Sequence, residues 1–534
     1  MTASALPELP RAGDYVTWYA ARVPDAPAAW FDGACMSYAE LERRIDATAR
    51  ALVGLGLHKG ERVAVLSTPR TEFLVAWLAI LRAGLVYVGL NPRYTHRELA
   101  YVVGDAQPGT VLALSSFATQ DFEPEVARLR AEFPLIRHAF RLEHGPAIGV
   151  LAAYADLLSN ASPVGDDEYR SRLQSVQPRD PAVIVYTSGS TGAPKGAVIP
   201  HESLVYGPRT AATAIGIERP RAICALPTNH IGCLADMCMG VLVAGGMIAF
   251  MDRFDAGRML ELIESLKLTS LQHTPTVLQM LVQHPNFLTR DLSSLQFAGW
   301  GGAALPIDAL RAFRRMGLKM LLAYGQTECV SNICWADETY SDEDLATTVG
   351  RPDPNQVVKL VDENLNEVPN GQPGELITRH HAQMLGYFNR PEATAAVFTP
   401  DGFLRTGDVG IRRPDGVIRL VGRRSEMYKS GGYNVYPREI ELCLEEHPAI
   451  GVAAVIGVPD PVYSEVGLAY VMARPDQPRP TEDRLRAWCR DRLANYKIPK
   501  QIFVRDELPL LPIGKVDKQA LRRDVTELSQ AIGS

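Results

Sequence analysis

Tyr186-Thr187-Ser188-Gly189-Ser190-Thr191-Gly192-Ala193-Pro194-Lys195-Gly196 is the stretch whose reading decides the fold. The apolar residues Ala182–Tyr186 lead into it as a short strand, and a helix is predicted to start near His201. Glycines let backbone N–H groups turn toward one point and approach an anion closely. The hydroxyls of Thr187, Ser188, Ser190 and Thr191 add donors, and Lys195 adds a positive charge. Strand, Gly-rich loop and lysine together describe a polyphosphate cradle. A Walker A loop requires Gly, four residues, then Gly-Lys-Ser/Thr. Here Pro194 stands at the second glycine's place and Gly196 follows the lysine, so the spacing disfavours a P-loop NTPase.

Outward from the loop, helical and strand-like patterns alternate. Tyr38 to Leu55 and Thr71 to Ala83 read as helices, and Arg62 to Leu66 as a strand. Further strands are predicted at Ala222–Leu226, Met247–Met251, Leu295–Ala298 and Met320–Tyr324. This alternation predicts an α/β architecture with largely parallel sheets. After about residue 355 the pattern changes. Val357–Val361 with Glu375–Thr378, and Val409–Arg412 with Val417–Val421, read as antiparallel hairpins. From about residue 425 a last segment holds helices at Pro437–Glu446 and Glu482–Ala494 and strands at Val452–Val458 and Val466–Ala473.

A chain of 534 residues exceeds one compact core, so two or more domains are expected. A net charge of −6 argues against a general nucleic-acid binder. No apolar run is long enough to span a bilayer, and the first residues do not read as a secretory signal. The eight cysteines read as scattered, with no Cys-x-x-Cys pair and no zinc pattern, so reduced thiols in a cytoplasmic protein are expected, without structural metal or disulfides.

The eleven-residue loop resembles the signature of the adenylate-forming superfamily: acyl-CoA synthetases, peptide-synthetase adenylation domains and firefly-type luciferases. The resemblance runs from about Tyr38 to Lys518 through several motifs in the family's order. It implies a large N-terminal adenylation domain (residues 1–424) of several subdomains, with mixed or parallel sheets and a small β-barrel-like part. A small mobile α+β C-terminal domain (residues 425–534) follows.

The resemblance also assigns roles. In Tyr324-Gly325-Gln326-Thr327-Glu328, Tyr324 matches the residue that stacks on adenine, Thr327 the one that bonds the α-phosphate, and Glu328 the magnesium ligand. An aromatic face suits a purine, and a carboxylate suits a hard cation. Gly301-Gly302-Ala303 resembles the turn beside adenine. Asp408 matches the carboxylate that accepts both ribose hydroxyls, and Arg423 an arginine near ribose and phosphate. Lys515 matches the lysine that bridges the substrate carboxylate and α-phosphate. Lys429 stands where some relatives carry a lysine for the second step, and Gly431, Gly432 and Tyr433 where coenzyme A passes. Ser425 departs from the usual Asp or Lys at the hinge. Asn229 and His230 match the segment that supplies a gate to the acyl pocket. Two residues look out of place: Asp236 in an apolar helical run, and Trp300, where relatives often carry a small residue. Both are assigned to the acyl pocket, and Trp300 is expected to shorten it.

The resemblance therefore implies an ATP- and Mg²⁺-dependent carboxylate–CoA ligase, forming an acyl-adenylate and then a thioester. Transfer to a carrier-protein thiol or an amine is the alternative. A luciferase-like oxygenase and a non-catalytic binder of adenylates are weaker readings. Relatives are often monomers or dimers, so a homodimer is open.

Overall fold

The structure is a computed structural model, and it describes residues 6–160, 162–187, 193–330, 332–474, 477–510 and 516–532. The chain forms two compact units, Met1–Gln356 with Arg379–Leu404, and Val357–Thr378 with Arg405–Ser534.

The first unit holds two large sheets. The seven-stranded sheet runs, edge to edge, Gly386–Tyr387, Lys195–Pro200, Pro181–Thr187, Val86–Leu90, Arg62–Leu66, Thr110–Ala113, His138–Arg141. Its middle strands are parallel, as the alternating pattern predicts, and Lys195–Pro200 is antiparallel to both neighbours. The nine-stranded sheet has a parallel centre made of Lys319–Gly325, Phe297–Gly301, Ser270–His273, Arg221–Cys224, Met247–Phe250 and Pro27–Phe31. Antiparallel strands complete its two edges.

The helix Thr71–Arg82 explains why both sheets sit in one unit. Every residue from Phe73 to Leu81 is buried, so the helix is apolar all round and needs cover on all sides. Phe73 meets Tyr87 of one sheet and Phe250 of the other, with ring centroids 6.1 and 6.4 Å apart. A second core fills the other side of the nine-stranded sheet, where Leu271, Ala298, Trp300 and Met320 pack on Leu260, Leu278 and Phe313 of three covering helices.

In the second unit, the hairpins form a four-stranded antiparallel sheet, Val357–Val361, Pro373–Arg379, Leu404–Arg412, Ile418–Arg423. A five-stranded sheet follows, with Ile450–Asp460 and Ser464–Ala473 as its long antiparallel pair and Gln501–Arg505 added in parallel. The expected boundary at 424/425 differs from this division. The helix Pro437–Glu445 packs on the strand Ile418–Arg423, so the hairpin sheet is compact with the C-terminal segment rather than with the first unit.

Candidate active site

The Gly/Ser loop is the return of a β-hairpin. Thr187 pairs with Lys195 and Tyr186 with Gly196, which brings both ends of the loop together. Ser188, Gly189, Ser190, Thr191 and Gly192 lie outside the described residues. The base of the hairpin is clamped from two sides. Tyr101 donates its hydroxyl hydrogen to the Pro194 carbonyl at 2.7 Å, and Tyr186 donates to Oδ2 of Asp105 at 2.7 Å. Arg390 holds the other oxygen of Asp105 at 2.6 Å. Burial, with the Asp105 carboxylate, pushes the Tyr186 phenol far above its usual range, so it stays a donor.

Next to this hairpin the two-residue strand Gly386–Tyr387 pairs with Lys195–Pro200, Ala197 opposite Tyr387. The Lys195 ammonium lies 5.4 Å from the centre of the Tyr387 ring, within cation–π reach. The same tyrosine donates to Oε1 of Glu328 at 2.7 Å. Burial and Glu328 raise the Tyr387 phenol well above its ordinary value. The Glu328 carbonyl accepts from the Met384 N–H at 3.0 Å. One ring thus links the cation at the end of the Gly/Ser loop with the carboxylate expected to hold the metal. Sequence reasoning missed Tyr387, because a two-residue strand carries no readable period.

Gly301 and Gly325 end two neighbouring parallel strands, and ligands of open α/β sheets gather at such carboxyl ends. A Cβ on Gly301 would lie 2.7 Å from the Ala323 carbonyl oxygen, so the close strand approach requires glycine. Gly302 has φ +81° and leads to the exposed Ala303, leaving a low turn above the strand ends. Tyr324 and Thr327 are each 9% exposed and sit on either side of the exposed Gly325 and the partly exposed Gln326.

The acyl-pocket candidates divide. Asn229 donates from Nδ2 to the Tyr94 hydroxyl at 3.1 Å, and His230 accepts the Gly232 N–H at Nδ1 at 3.0 Å. Their turn is tied down where Tyr87 donates to the Thr228 carbonyl at 3.0 Å, and Thr228 to the Ser67 carbonyl at 2.8 Å. Asp236 lies in the helix Gly232–Met239, which is wound as a π-helix, a form frequent at functional sites. This helix packs on the strand Arg221–Cys224 and on the helix His201–Ile215. Trp300 is only 1% exposed, and its side chain belongs to the core with Leu271, Ala298 and Met320. Cys224 points the other way and meets Cys233 of the π-helix, Sγ to Sγ 3.7 Å. Side chains alternate across a strand, so Trp300 and the π-helix stand on opposite faces of the sheet. The expectation that Trp300 lines the same pocket as Asp236 is corrected accordingly.

The thiols also correct an expectation. Cys224, Cys233 and Cys238 are fully buried with their sulfurs within 4.8 Å of one another, so three of the cysteines form a cluster that seats the π-helix on its strand. Their sequence spacing matches no Cys-x-x-Cys pattern, which hid it.

In the second unit, Asp408 pairs across the hairpin with Arg423, and Oδ1 lies 3.0 Å from Nε. Ser425 is exposed in the turn that follows. Lys429 is exposed on the strand Tyr428–Ser430, opposite Asn434 of Tyr433–Val435. Gly431 (φ +56°) and Gly432 (φ +85°) are the two-residue turn between them, a conformation that needs φ > 0 at both positions. Backbone geometry alone therefore explains this glycine pair. Tyr433, 59% exposed, stacks on Tyr496 with centroids 4.4 Å apart. Lys515 lies outside the described residues. Lys518 is partly buried between Glu441, 2.7 Å away, and Glu426, one residue after Ser425. Burial works against its charge, and the two carboxylates hold its pKa above the usual lysine range.

Comparison with known proteins decides the family. The model for AMP-binding enzymes matches residues 16–388, and that for the AMP-binding enzyme C-terminal domain matches residues 439–515. The chain belongs to the AMP-binding enzyme family. A feruloyl-CoA synthase from Amycolatopsis is 35% identical over 501 residues, covering 94% of this chain and 96% of that protein. A long-chain-fatty-acid–CoA ligase from Escherichia coli is 32% identical, covering 94% and 92%. Among solved structures, ATP-bound MatB from Rhodopseudomonas palustris superposes with a TM-score of 0.84 at 29% identity, covering 97% and 99%. The resemblance to adenylate-forming enzymes holds, and the chain is an ATP-dependent, AMP-forming acid–thiol ligase. ATP, coenzyme A and a small carboxylic acid are the substrates of this AMP-binding ligase. No helix among its described residues is long and apolar enough to cross a membrane.

Proposed function

We propose that this ligase runs two half-reactions with the following division of labour. The loop from Thr187 to Lys195 cradles the phosphates. Tyr324 and the turn Gly301–Ala303 take adenine, Thr327 bonds the α-phosphate, Asp408 takes the ribose hydroxyls, and Arg423 acts beside it. Magnesium, when bound, neutralises phosphate oxygens, and the Glu328 carboxylate is the hard oxygen ligand that would hold it. Its fit is supported by the Tyr387 hydrogen bond, which orients Oε1, and by the nearby Lys195. The acid's carboxylate attacks the α-phosphorus and pyrophosphate leaves, with Lys515 neutralising the two anions that meet. Coenzyme A then attacks the acyl carbon past Gly431, Gly432 and Tyr433, Lys429 serves this second step, and AMP leaves.

A hinge at Ser425 would switch between the steps. The packing of Pro437–Glu445 on Ile418–Arg423 is the contact that such a rotation has to release. Asn229, His230 and Asp236 line the acid's site, and Trp300 supports it from the far side of the sheet. Its co-substrates support a cytoplasmic location, and light scattering of the purified chain measures whether it forms a homodimer.

The observation that carries this reading is the Lys195–Tyr387–Glu328 arrangement at the mouth of the Gly/Ser hairpin. Acid-dependent exchange of labelled pyrophosphate into ATP tests the first half, and AMP release dependent on coenzyme A tests the second. Exchange without such release, restored by a carrier protein or an amine, would replace coenzyme A as acceptor.

A further inference from the structure

Asp236 is an anomaly in its own helix. Gly232 to Ala235 and Met237 to Met239 are all buried, whereas Asp236 is exposed. Among the described residues its carboxylate has no hydrogen-bond or ion-pair partner. A carboxylate on an open surface keeps its ordinary acidity. Asp236 instead has its pKa raised to about 7, with desolvation by surrounding protein as the sole cause. Accessible to water yet enclosed, it stands on the wall of a recess rather than on the outer surface.

The sheet shows what that recess adjoins. The π-helix covers the face carrying Cys224. By strand alternation and register, Gly299, Gly301, Ala323 and Gly325 lie on that same face at the carboxyl ends of the strands. These strand ends lie next to the turn proposed for adenine. An alkyl chain held there would strip water from an unpaired carboxylate, which is costly.

We infer that the acyl site of this ligase takes a carboxylic acid bearing a hydrogen-bond donor, a hydroxyl or an ammonium, remote from its reacting carboxylate, and that Asp236 accepts that donor. The inference rests on the ligase reading.

The test uses the full chain and pyrophosphate exchange with two matched series. One is 3-(4-methylphenyl)propanoate with its 4-hydroxy and 4-aminomethyl counterparts; the other is nonanoate with 8-hydroxyoctanoate and 8-aminooctanoate. In at least one series a donor acid should exceed its methyl isostere by about tenfold or more in kcat/KM, mainly through KM. Asp236→Leu should bring that ratio to one or below. Asp236→Asn should keep part of a hydroxyl preference and lose an ammonium preference. Equal rates for methyl and donor acids in both series overturn the inference, and this comparison stands even where the leucine variant fails to fold. A ratio unchanged in folded Asp236→Leu also overturns it. Exchange supported by the methyl acids alone sinks the inference and leaves the ligase reading standing, whereas exchange with no carboxylic acid at all sinks both.

Discussion

Tyr387 donates its hydroxyl hydrogen to Oε1 of Glu328 at 2.7 Å while the Lys195 ammonium stands 5.4 Å from its ring centre. Removing only the hydroxyl isolates the first contact. Tyr387→Phe should raise KM for MgATP and slow pyrophosphate exchange by about tenfold, as expected for a lost bond to a charged acceptor. Since the phenol is held well above its ordinary pKa, it remains protonated, and the wild-type rate should show no tyrosine titration below pH 10.

Asp408 is 6% exposed and paired with Arg423 at 3.0 Å. Asp408→Asn keeps the shape and removes the charge. The expected result is a KM for ATP raised by about tenfold to a hundredfold, with KM for the acid little changed. Steady-state kinetics with each substrate varied in turn checks this.

The two proposed lysines should separate the half-reactions. Lys515→Ala should slow pyrophosphate exchange by about a hundredfold or more. Lys429→Ala should slow the coenzyme A-dependent release of AMP more than it slows exchange. Single-turnover transfer from preformed acyl-adenylate distinguishes them.

Trp300 fills the core on the face opposite the π-helix, and among the described residues its Nε1 has no hydrogen-bond partner. Trp300→Ala should destabilise the fold by about 3–5 kcal/mol. Trp300→Phe should cost much less, since it deletes a buried donor that is unsatisfied. Thermal melting ranks the three. A large change in acid preference in Trp300→Phe would return this residue to the pocket.

His201 and His273 are buried, and burial lowers each pKa to about 4. The unfolded chain binds their protons from about pH 6.5 downward, whereas the folded chain resists until about 4. Their contribution is therefore complete above pH 6.5 and is lost as pH falls toward 4, by about 3 kcal/mol for each histidine. Asp236 has the opposite sign, because its raised pKa favours the folded state at low pH and loses that advantage as pH rises through 7. Melting temperature should fall between pH 6.5 and 4.5, and His273→Gln should flatten the slope.

Regular elements with a strong local period were legible. Arg62–Leu66 occupies the residues expected for it, and the helices after Tyr38, Thr71 and Pro437 end within a residue of expectation. Elements whose reason lies elsewhere were not. Lys195–Pro200 forms a strand because Pro181–Thr187 and Gly386–Tyr387 supply its partners. The run around Asp236 reads as an ordinary helix, and only its packing reveals the wider π winding.

Local chemistry alone made legible the Gly/Ser loop proposed for phosphate, the strand before it and the order of the motifs, because glycine, hydroxyl and lysine at fixed spacing can be recognised without a partner. Tertiary structure decided that Tyr387 reaches Glu328 across 59 residues, that three thiols meet, and that Trp300 and the Asp236 helix take opposite faces of one sheet. A strand's period of two tells which residues share a face; what covers that face depends on elements far away in the chain, and those long-range contacts form only when the whole core packs.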